Sequence, residues 1–349
     1  MSGRLRIGIA GYGVVGRRRR NFIDQHPNME TVAVCDRVFD GDGELGDGTP
    51  FHDRYERLLQ HELDALFVCL TNDIAAKVTI AALERGLHVF CEKPPGRDLQ
   101  DIADIMECEA RHPDLKLKFG FNHRYHHSVR DALDLIRSGN LGEIINLRGV
   151  YGKSKIISFE SDWRTKREIA GGGILLDQGI HMLDLLRLFA GEFDDIRSFV
   201  DNKFWNHDVE DNAYALMRTA DGKVAFMHSS ATQWEHQFNL EIALSRGALV
   251  LSGILSGSKS YGSEIMQVLR RSEDQGGETV RQFHHYDEDP SWADEIAEFA
   301  AAIRGSGDIL YGTSDDAAKT MQLVYRIYCA DPDWKAQWNL DDRIPPAST

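Results

Sequence analysis

The residues 89–96, Val-Phe-Cys-Glu-Lys-Pro-Pro-Gly, end an apolar run with a carboxylate, an ammonium and two prolines, none of which extends a central strand easily. A loop leaving the carboxyl end of a parallel strand faces a ligand crevice, and a proline after Lys93 fixes its backbone, so the ammonium can be held in one place. Further along, Asp177 and His181 stand at i and i+4, a spacing that puts both side chains on one face of a helix. Glycines at 171–173 would bring the start of that helix close to a ligand, and Gly179 keeps one turn thin. An imidazole that titrates near neutral pH suits removal of a proton from an alcohol, so His181 is a candidate acceptor. Asp177 would bind a substrate hydroxyl or orient and charge-stabilise its neighbour. Residue type alone leaves open which of Lys93 and His181 takes the proton. Each feature also has a plain structural reading: a surface lysine ending a strand, and a capped helix with a polar face.

A second group of residues suits a dinucleotide. Gly11, Gly13 and Gly16 follow an apolar run and open a helical pattern, and Asp36 lies 36 − 16 = 20 residues after the last glycine. Gly11 permits a tight turn, Gly13 lets the backbone of Tyr12 to Val15 approach a pyrophosphate, and Gly16 lets helix and strand pack. The helix start at Val14 and Val15 supplies positive potential. Asp36 would accept hydrogen bonds from the ribose hydroxyls and repel a 2′-phosphate, which favours NAD; Arg37 beside it is the route to NADP. Arg17 to Arg20 point in several directions on a helix and read as a solvated surface, with Arg17 near the phosphates.

Together, in this order and spacing, the glycine fingerprint, Glu92-Lys93-Pro94 and the stretch 171–181 (GGGILLDQGIH) resemble the glucose-fructose oxidoreductase, inositol dehydrogenase and rhizopine catabolism family through nearly the whole chain. The resemblance implies an N-terminal Rossmann domain joined to a C-terminal open mixed α/β sheet. It also implies NAD- or NADP-dependent oxidation or reduction of a carbinol carbon in a sugar or cyclitol. By the same resemblance Lys93 hydrogen-bonds the reacting hydroxyl and the cofactor ribose, Pro94 follows a cis peptide, and Asn122 and Arg124 contact substrate at the domain junction. Many relatives place Thr-Pro-Asn and a nearby histidine after the third strand, whereas this chain has Thr71-Asn72-Asp73-Ile74. Thr71 and Asn72, with Glu92 and Lys93, can still line the cofactor.

The elements that must hold these residues divide in two. Runs at 5–10, 31–35, 65–70, 88–91 and 117–121 read as strands, with helical patterns at 14–26, 74–85 and 99–110, so residues 1–122 read as a parallel α/β domain. The glycine-rich, acidic stretch 41–50 reads as a mobile surface loop where a crossover is due. From 123 to 349 the pattern changes to an α+β substrate and oligomerisation domain with an open, mainly antiparallel sheet. Helices are expected at 128–138, 173–189, 292–304 and 314–328, and Asp221-Gly222 signals a type I′ hairpin. The exposed face of such a sheet is expected to pair copies into a homodimer or homotetramer.

Composition narrows the function classes. The 349 residues are 42% hydrophobic and 27% charged, and 40 basic against 55 acidic residues give a net charge of −15, a poor match for nucleic acid. Five cysteines without a C-x-x-C spacing suit reduced thiols in a cytoplasmic protein. The N-terminus imitates a signal peptide, but glycines interrupt its apolar stretch and arginines end it; no run long enough to span a membrane is present. His123, His126 and His127 have no adjoining acid or cysteine and read as polar junction residues, not metal ligands. One segment runs against the overall charge: Arg148, Lys153, Lys155, Arg164, Lys166 and Arg167 face only three acids within 148–168. If it forms an anion site, the substrate carries phosphate, pyrophosphate or a uronate carboxylate, as a nucleotide-linked sugar does, with Trp163 offering a ring face beside Arg164 and Lys166. If it is a solvated loop, a neutral sugar or cyclitol is the substrate. Two rivals remain: a regulator that senses the nicotinamide ratio, and an oxidoreductase with non-exchanging cofactor.

Overall fold

The computed structural model describes residues 3–154, 163–256, 260–272 and 277–348; Lys155 lies outside them. The first half alternates strand and helix: β1 (Leu5–Ala10), α1 (Val14–Gln25), β2 (Met29–Cys35), β3 (Gly43–Glu44), β4 (Pro50–His52), α2 (Tyr55–Leu58), β5 (Ala65–Val68), α3 (Asn72–Glu84), β6 (His88–Glu92), α4 (Leu99–Ala110) and β7 (Leu117–Gly120). The strands form one sheet in the order β3-β4-β2-β1-β5-β6-β7, parallel except for the edge pair β3–β4. Both faces are buried, as a parallel sheet requires. Along β5, Ala65 and Phe67 enter one apolar cluster and Leu66 and Val68 the other. The stretch 41–50 is not a bare loop. Gly43 pairs with Phe51 and Glu44 with Pro50, which turns the segment into a hairpin on the sheet edge.

The second half continues with α5 (His127–Arg137), β8 (Ile144–Ser154), α6 (Arg167–Ala170), α7 (Ile180–Ala190), β9 (Phe193–Asp201), β10 (Asn212–Thr219), β11 (Val224–Gln233), β12 (Gln237–Leu244), β13 (Gly247–Ser252), β14 (Glu264–Arg271), β15 (Thr279–Tyr286), α8 (Ser291–Ile303), α9 (Ser314–Ala330) and α10 (Pro332–Trp338). Its sheet runs β15-β14-β13-β12-β8-β11-β10-β9, antiparallel except where β8 meets β11. Alternation is regular: Ala213, Ala215 and Met217 of β10 are buried, whereas Leu216 is 53% exposed and lies in register with Phe226. On that same outer face Phe199 is 79% exposed beside Tyr214. The β10–β11 turn is not type I′. Only Gly222 has a positive φ, of 91°, and its N–H donates to Thr219 O, a type I turn followed by a left-handed glycine.

The boundary at 122/123 divides the strands but not the packing. Helix α8 returns to the first sheet, where Ile296, Phe299, Ala300 and Ile303 pack with Ile7, Ile9, Phe67 and Phe90. Arg19 accompanies it and overturns the solvated reading of the arginine run. This side chain has no exposed surface and lies 4.3 Å from the ring centres of both Phe90 and Trp292. Its Nε donates to Glu92 at 2.6 Å and its Nη2 to Glu295 at 2.7 Å. Lys118 makes a second buried pair with Glu298 at 2.7 Å. Removing one member of a buried network leaves charge without compensation. Arg19→Met is therefore expected to destabilise the protein by about 3–5 kcal/mol in chemical denaturation, with part recovered by adding Glu295→Gln; a loss below about 1 kcal/mol would contradict a closed network.

Candidate active site

The turn after β1 is shaped for a close backbone approach. Gly11 has φ of +90°, and a Cβ there would sit 2.2 Å from Cys69 O; a Cβ on Gly16 would sit 1.9 Å from Gly11 O. Gly13 instead faces open space, and no side chain caps the first turn of α1, so its N–H groups are free to meet a pyrophosphate. Val14 is 77% exposed at that helix start, with Val15 half-buried beside it. Asp36 accepts the N–H of Tyr12 at 2.7 Å and that of Val38 at 3.1 Å, which fixes its carboxylate at the end of β2 with lone pairs left for ribose hydroxyls. Arg37 is exposed next to it. These residues fit a nicotinamide dinucleotide.

The remaining cofactor-lining candidates are placed differently. Thr71 caps α3 by position, its hydroxyl directed to Asp73 at 2.6 Å. The Asn72 amide is buried and donates to Ala170 O at 2.8 Å, so it ties α3 to α6. The Glu92 carboxylate is turned to Arg19 beneath the strand. Lys93 follows it on the opposite course, and the Lys93–Pro94 peptide is cis.

The triple glycine serves protein packing, where the sequence suggested proximity to a ligand. A Cβ on Gly171 would lie 1.9 Å from Arg97 O, and one on Gly173 would lie 2.0 Å from Glu210 O. Glu210, buried on the segment before β10, accepts Gly173 N–H at 2.7 Å, Leu175 N–H at 3.0 Å and the Tyr328 hydroxyl at 2.6 Å. The expected helix over 173–189 is also interrupted. Residues Leu175–Gly179 form a wide π turn and α7 begins at Ile180. Asp177 thus belongs to the turn and His181 to the first turn of α7, a local irregularity often found where side chains are aimed at a site.

Cations converge on Asp177. Lys93 donates to its backbone oxygen and lies 3.6 Å from its carboxylate; Lys153 of β8 donates to the carboxylate at 2.8 Å, and Arg164 lies 3.6 Å away. Burial alone would raise the carboxyl group, but Lys153, Lys93 and Arg164 outweigh it and hold Asp177 well below the usual carboxylate range. Burial pulls Lys93 down from the ordinary lysine range against the attraction of Asp177. His181 is 6% exposed, and burial, then Lys93, lowers its imidazole well below the ordinary histidine value. It is neutral at neutral pH. Its buried Nδ1 has no hydrogen-bond partner among the described residues, and its ring lies flat on that of His123.

Two candidate substrate contacts are occupied by the protein itself. Arg124 directs all three guanidinium nitrogens to Asp184 and Asp316, the first contact at 2.7 Å, within a buried network. Asn122 holds Ser291 at 3.0 Å and His123 at 3.1 Å. Around Trp163, one ring face is covered by the Arg164 guanidinium at 4.4 Å. Lys166 and Arg148 are exposed, while Arg167 stacks on Trp338 and binds Asp208. Of the basic segment, then, Lys153 and Arg164 reach Asp177. His126 is buried against Glu264 at 2.7 Å. The sequence named Lys153 only as one cation of the basic segment and His123 only as a junction residue, and it did not single out Glu210 or the pair Gln178 and Tyr261, joined at 2.8 Å. The alternation of β8, which puts Tyr151 and Lys153 on one face, was the available signal.

Comparison with known proteins agrees with this geometry. Residues 5–120 match the model of an oxidoreductase family with an NAD-binding Rossmann fold, and residues 129–250 match the GFO/IDH/MocA C-terminal domain. A D-glucoside 3-dehydrogenase of Escherichia coli (strain K12) is 28% identical over 255 residues, covering 65% of this chain and 70% of the relative. A myo-inositol 2-dehydrogenase of Thermotoga maritima is 24% identical over 269 residues, 72% of this chain and 76% of the relative. In fold, a levoglucosan dehydrogenase solved in complex with NADH superimposes with a TM-score of 0.79 at 20% identity, over 95% of this chain and 98% of that one.

Gly173→Ala should test the packing role of the glycines. Its Cβ would meet backbone rather than a movable side chain, so the turn bearing Asp177 must shift. The expected result is a loss of turnover of about 100-fold, the scale of a misplaced reacting group, with the NAD dissociation constant unchanged by fluorescence titration. Full turnover would show that the turn is not held there.

Proposed function

The chain belongs to the GFO/IDH/MocA oxidoreductase family, and from that premise we propose that it oxidises a carbinol carbon of an anionic sugar, with His181 as proton acceptor and Lys93 and Asp177 holding the reacting oxygen. The dehydrogenase class and the use of a nicotinamide cofactor follow from the family; the residue roles and the substrate charge are our reading. The observation that supports it is the convergence of Lys93, Lys153 and Arg164 on Asp177 beside a buried, neutral imidazole.

The bound nicotinamide supplies the hydride acceptor. The substrate hydroxyl proton passes to His181 as the carbon–hydrogen bond breaks and the carbonyl forms. Lys93, held against Asp177, offers its ammonium to the oxygen on which negative charge develops. Asp177 stays ionised throughout, so it acts as a fixed charge and not as an acid. Lys153 and Arg164 would receive a phosphate, a diphosphate or a uronate carboxylate beyond the reacting carbon. The names of the two curated relatives favour a second reading, a neutral sugar or cyclitol.

Mixing the protein and NAD, or NADP, with D-glucose, myo-inositol, glucose 6-phosphate, glucuronate and UDP-glucose separates the two by nicotinamide absorbance. Reduction confined to the anionic members supports the proposal; reduction with D-glucose or myo-inositol returns the substrate to a neutral polyol. Lys93→Met, Asp177→Ala and His181→Ala should each lower turnover by about 100-fold or more while NAD binding survives. Because His181 must be neutral to accept a proton and its pKa lies below 6.5, oxidation should hold level from pH 8 to about 6.5 and fall only in more acid solution.

We also propose that the outer face of the second sheet pairs copies of the chain into a homodimer or homotetramer, supported by the exposure of Phe199 and Leu216 there. Sedimentation at micromolar concentration should give a multiple of 39.4 kDa, reduced to one chain in Leu216→Arg; a monomeric mass for the unaltered protein refutes it.

A further inference from the structure

We propose that His123 is a positioning residue whose ring, lying flat against His181, sets the plane in which the catalytic imidazole receives its proton. This rests on the reading of His181 as proton acceptor. A histidine that transfers protons is ordinarily oriented by a hydrogen bond from its second ring nitrogen to a carboxylate, a carbonyl or water. Among the described residues no carboxylate or carbonyl meets the buried His181 Nδ1, and the contacts that hold its ring there are aromatic. The His123 ring is 3.8 Å away centre to centre, at an interplanar angle of 12°, and Phe121 closes one edge at 6.3 Å and 80°.

His123 is suited to act as that support because both of its nitrogens are fixed. Nδ1 meets Asn122 Oδ1 at 3.1 Å and Nε2 meets the Tyr151 hydroxyl at 3.1 Å. An amide oxygen only accepts, so Nδ1 bears the proton; burial holds His123 well below the ordinary histidine range, so the ring is neutral and Nε2 accepts from the Tyr151 hydroxyl. Asn122 is in turn held by Ser291 of α8 at 3.0 Å, and Tyr151 packs edge-on against Phe238 and Tyr261 at 5.3 Å and 5.2 Å. A neutral ring face also tolerates the imidazolium that forms on His181 during turnover, whereas a charged neighbour would oppose it.

The test compares substitutions that differ only in the flat face. His123→Phe and His123→Leu both lose the contacts to Asn122 and Tyr151, but only phenylalanine presents a ring; His123→Gln keeps polar contacts without a ring. Assayed with whichever of the five compounds above gives the fastest NAD reduction, Phe should retain kcat within about tenfold. Leu and Gln should fall about 100-fold, toward the His181→Ala level, with KM and the NAD dissociation constant within about threefold. Equal loss in Phe and Leu, or full kcat in a folded Gln variant, overturns the proposal. If Leu does not give a cooperative melt, Phe and Gln decide it. Full turnover in His181→Ala removes the reading of His181 and the proposal with it; an inactive His181→Ala beside fully active Leu and Gln removes the proposal alone. Independently of substrate, proton spectra of ring-labelled histidine should show the His181 ring shifted upfield by its stacked neighbour in the unaltered protein and in Phe, but not in Leu; the absence of that shift from the unaltered protein overturns the stack.

Discussion

A guanidinium without access to water is stable only where carboxylates meet it, and Arg19 meets two. That requirement binds three distant parts of the chain: α1, which carries Arg19 and starts at the pyrophosphate turn; the end of β6, which carries Glu92; and α8, which carries Glu295. Burial pushes Glu295 up to about 7, with Arg19 and Lys118 opposing, so this carboxylate is held at the edge of ionisation by its partners. Because Glu92 is drawn inward, its neighbour Lys93 leaves the strand toward the cleft. The orientation of Lys93 is thus coupled to the packing of a helix almost two hundred residues further on.

The other half of the site is held by close approach rather than by charge pairing. Gly171 and Gly173 let the segment leading into the π turn touch the backbone at Arg97 and Glu210, and the Glu210 carboxylate binds the N–H of Gly173 in that segment and of Leu175 at the start of the turn. Arg97 lies four residues after Lys93, so the glycines join the segment that bears Lys93 to the one that bears Asp177 and His181. An ionised carboxylate and a neutral imidazole then coexist four residues apart because one is surrounded by cations and the other by rings.

Much of this was legible in the sequence where the signal was local. The glycine fingerprint with Asp36 twenty residues on, the Lys93-Pro94 pair and the Asp177–His181 spacing are short-range patterns that a reader of the sequence can pick out, and the parallel sheet of the first domain follows from alternation. What failed to show was non-local. Nothing in four consecutive arginines reveals that one meets a carboxylate 276 residues away. Arg124 looked like a substrate contact until Asp184 and Asp316 came to it, and the basic segment dispersed, with Lys153 and Arg164 reaching the site while Arg167 stacks on Trp338. The π turn, the type I hairpin turn and the hairpin at 43–51 are small backbone choices that tertiary contacts decide.

The return of α8 to the first sheet also has a consequence for how the chain is made. On a ribosome adding roughly 5–20 residues per second, the last strand of that sheet is complete about ten to thirty seconds before α8 is synthesised. During that interval the cluster of Ile7, Ile9, Phe67 and Phe90 has Ile23 of α1 and, at its margin, Phe39, Leu45 and Phe51, but lacks Ile296, Phe299, Ala300 and Ile303. The nascent first half therefore waits with an unfinished apolar face and becomes a closed unit only when the far end of the chain is delivered.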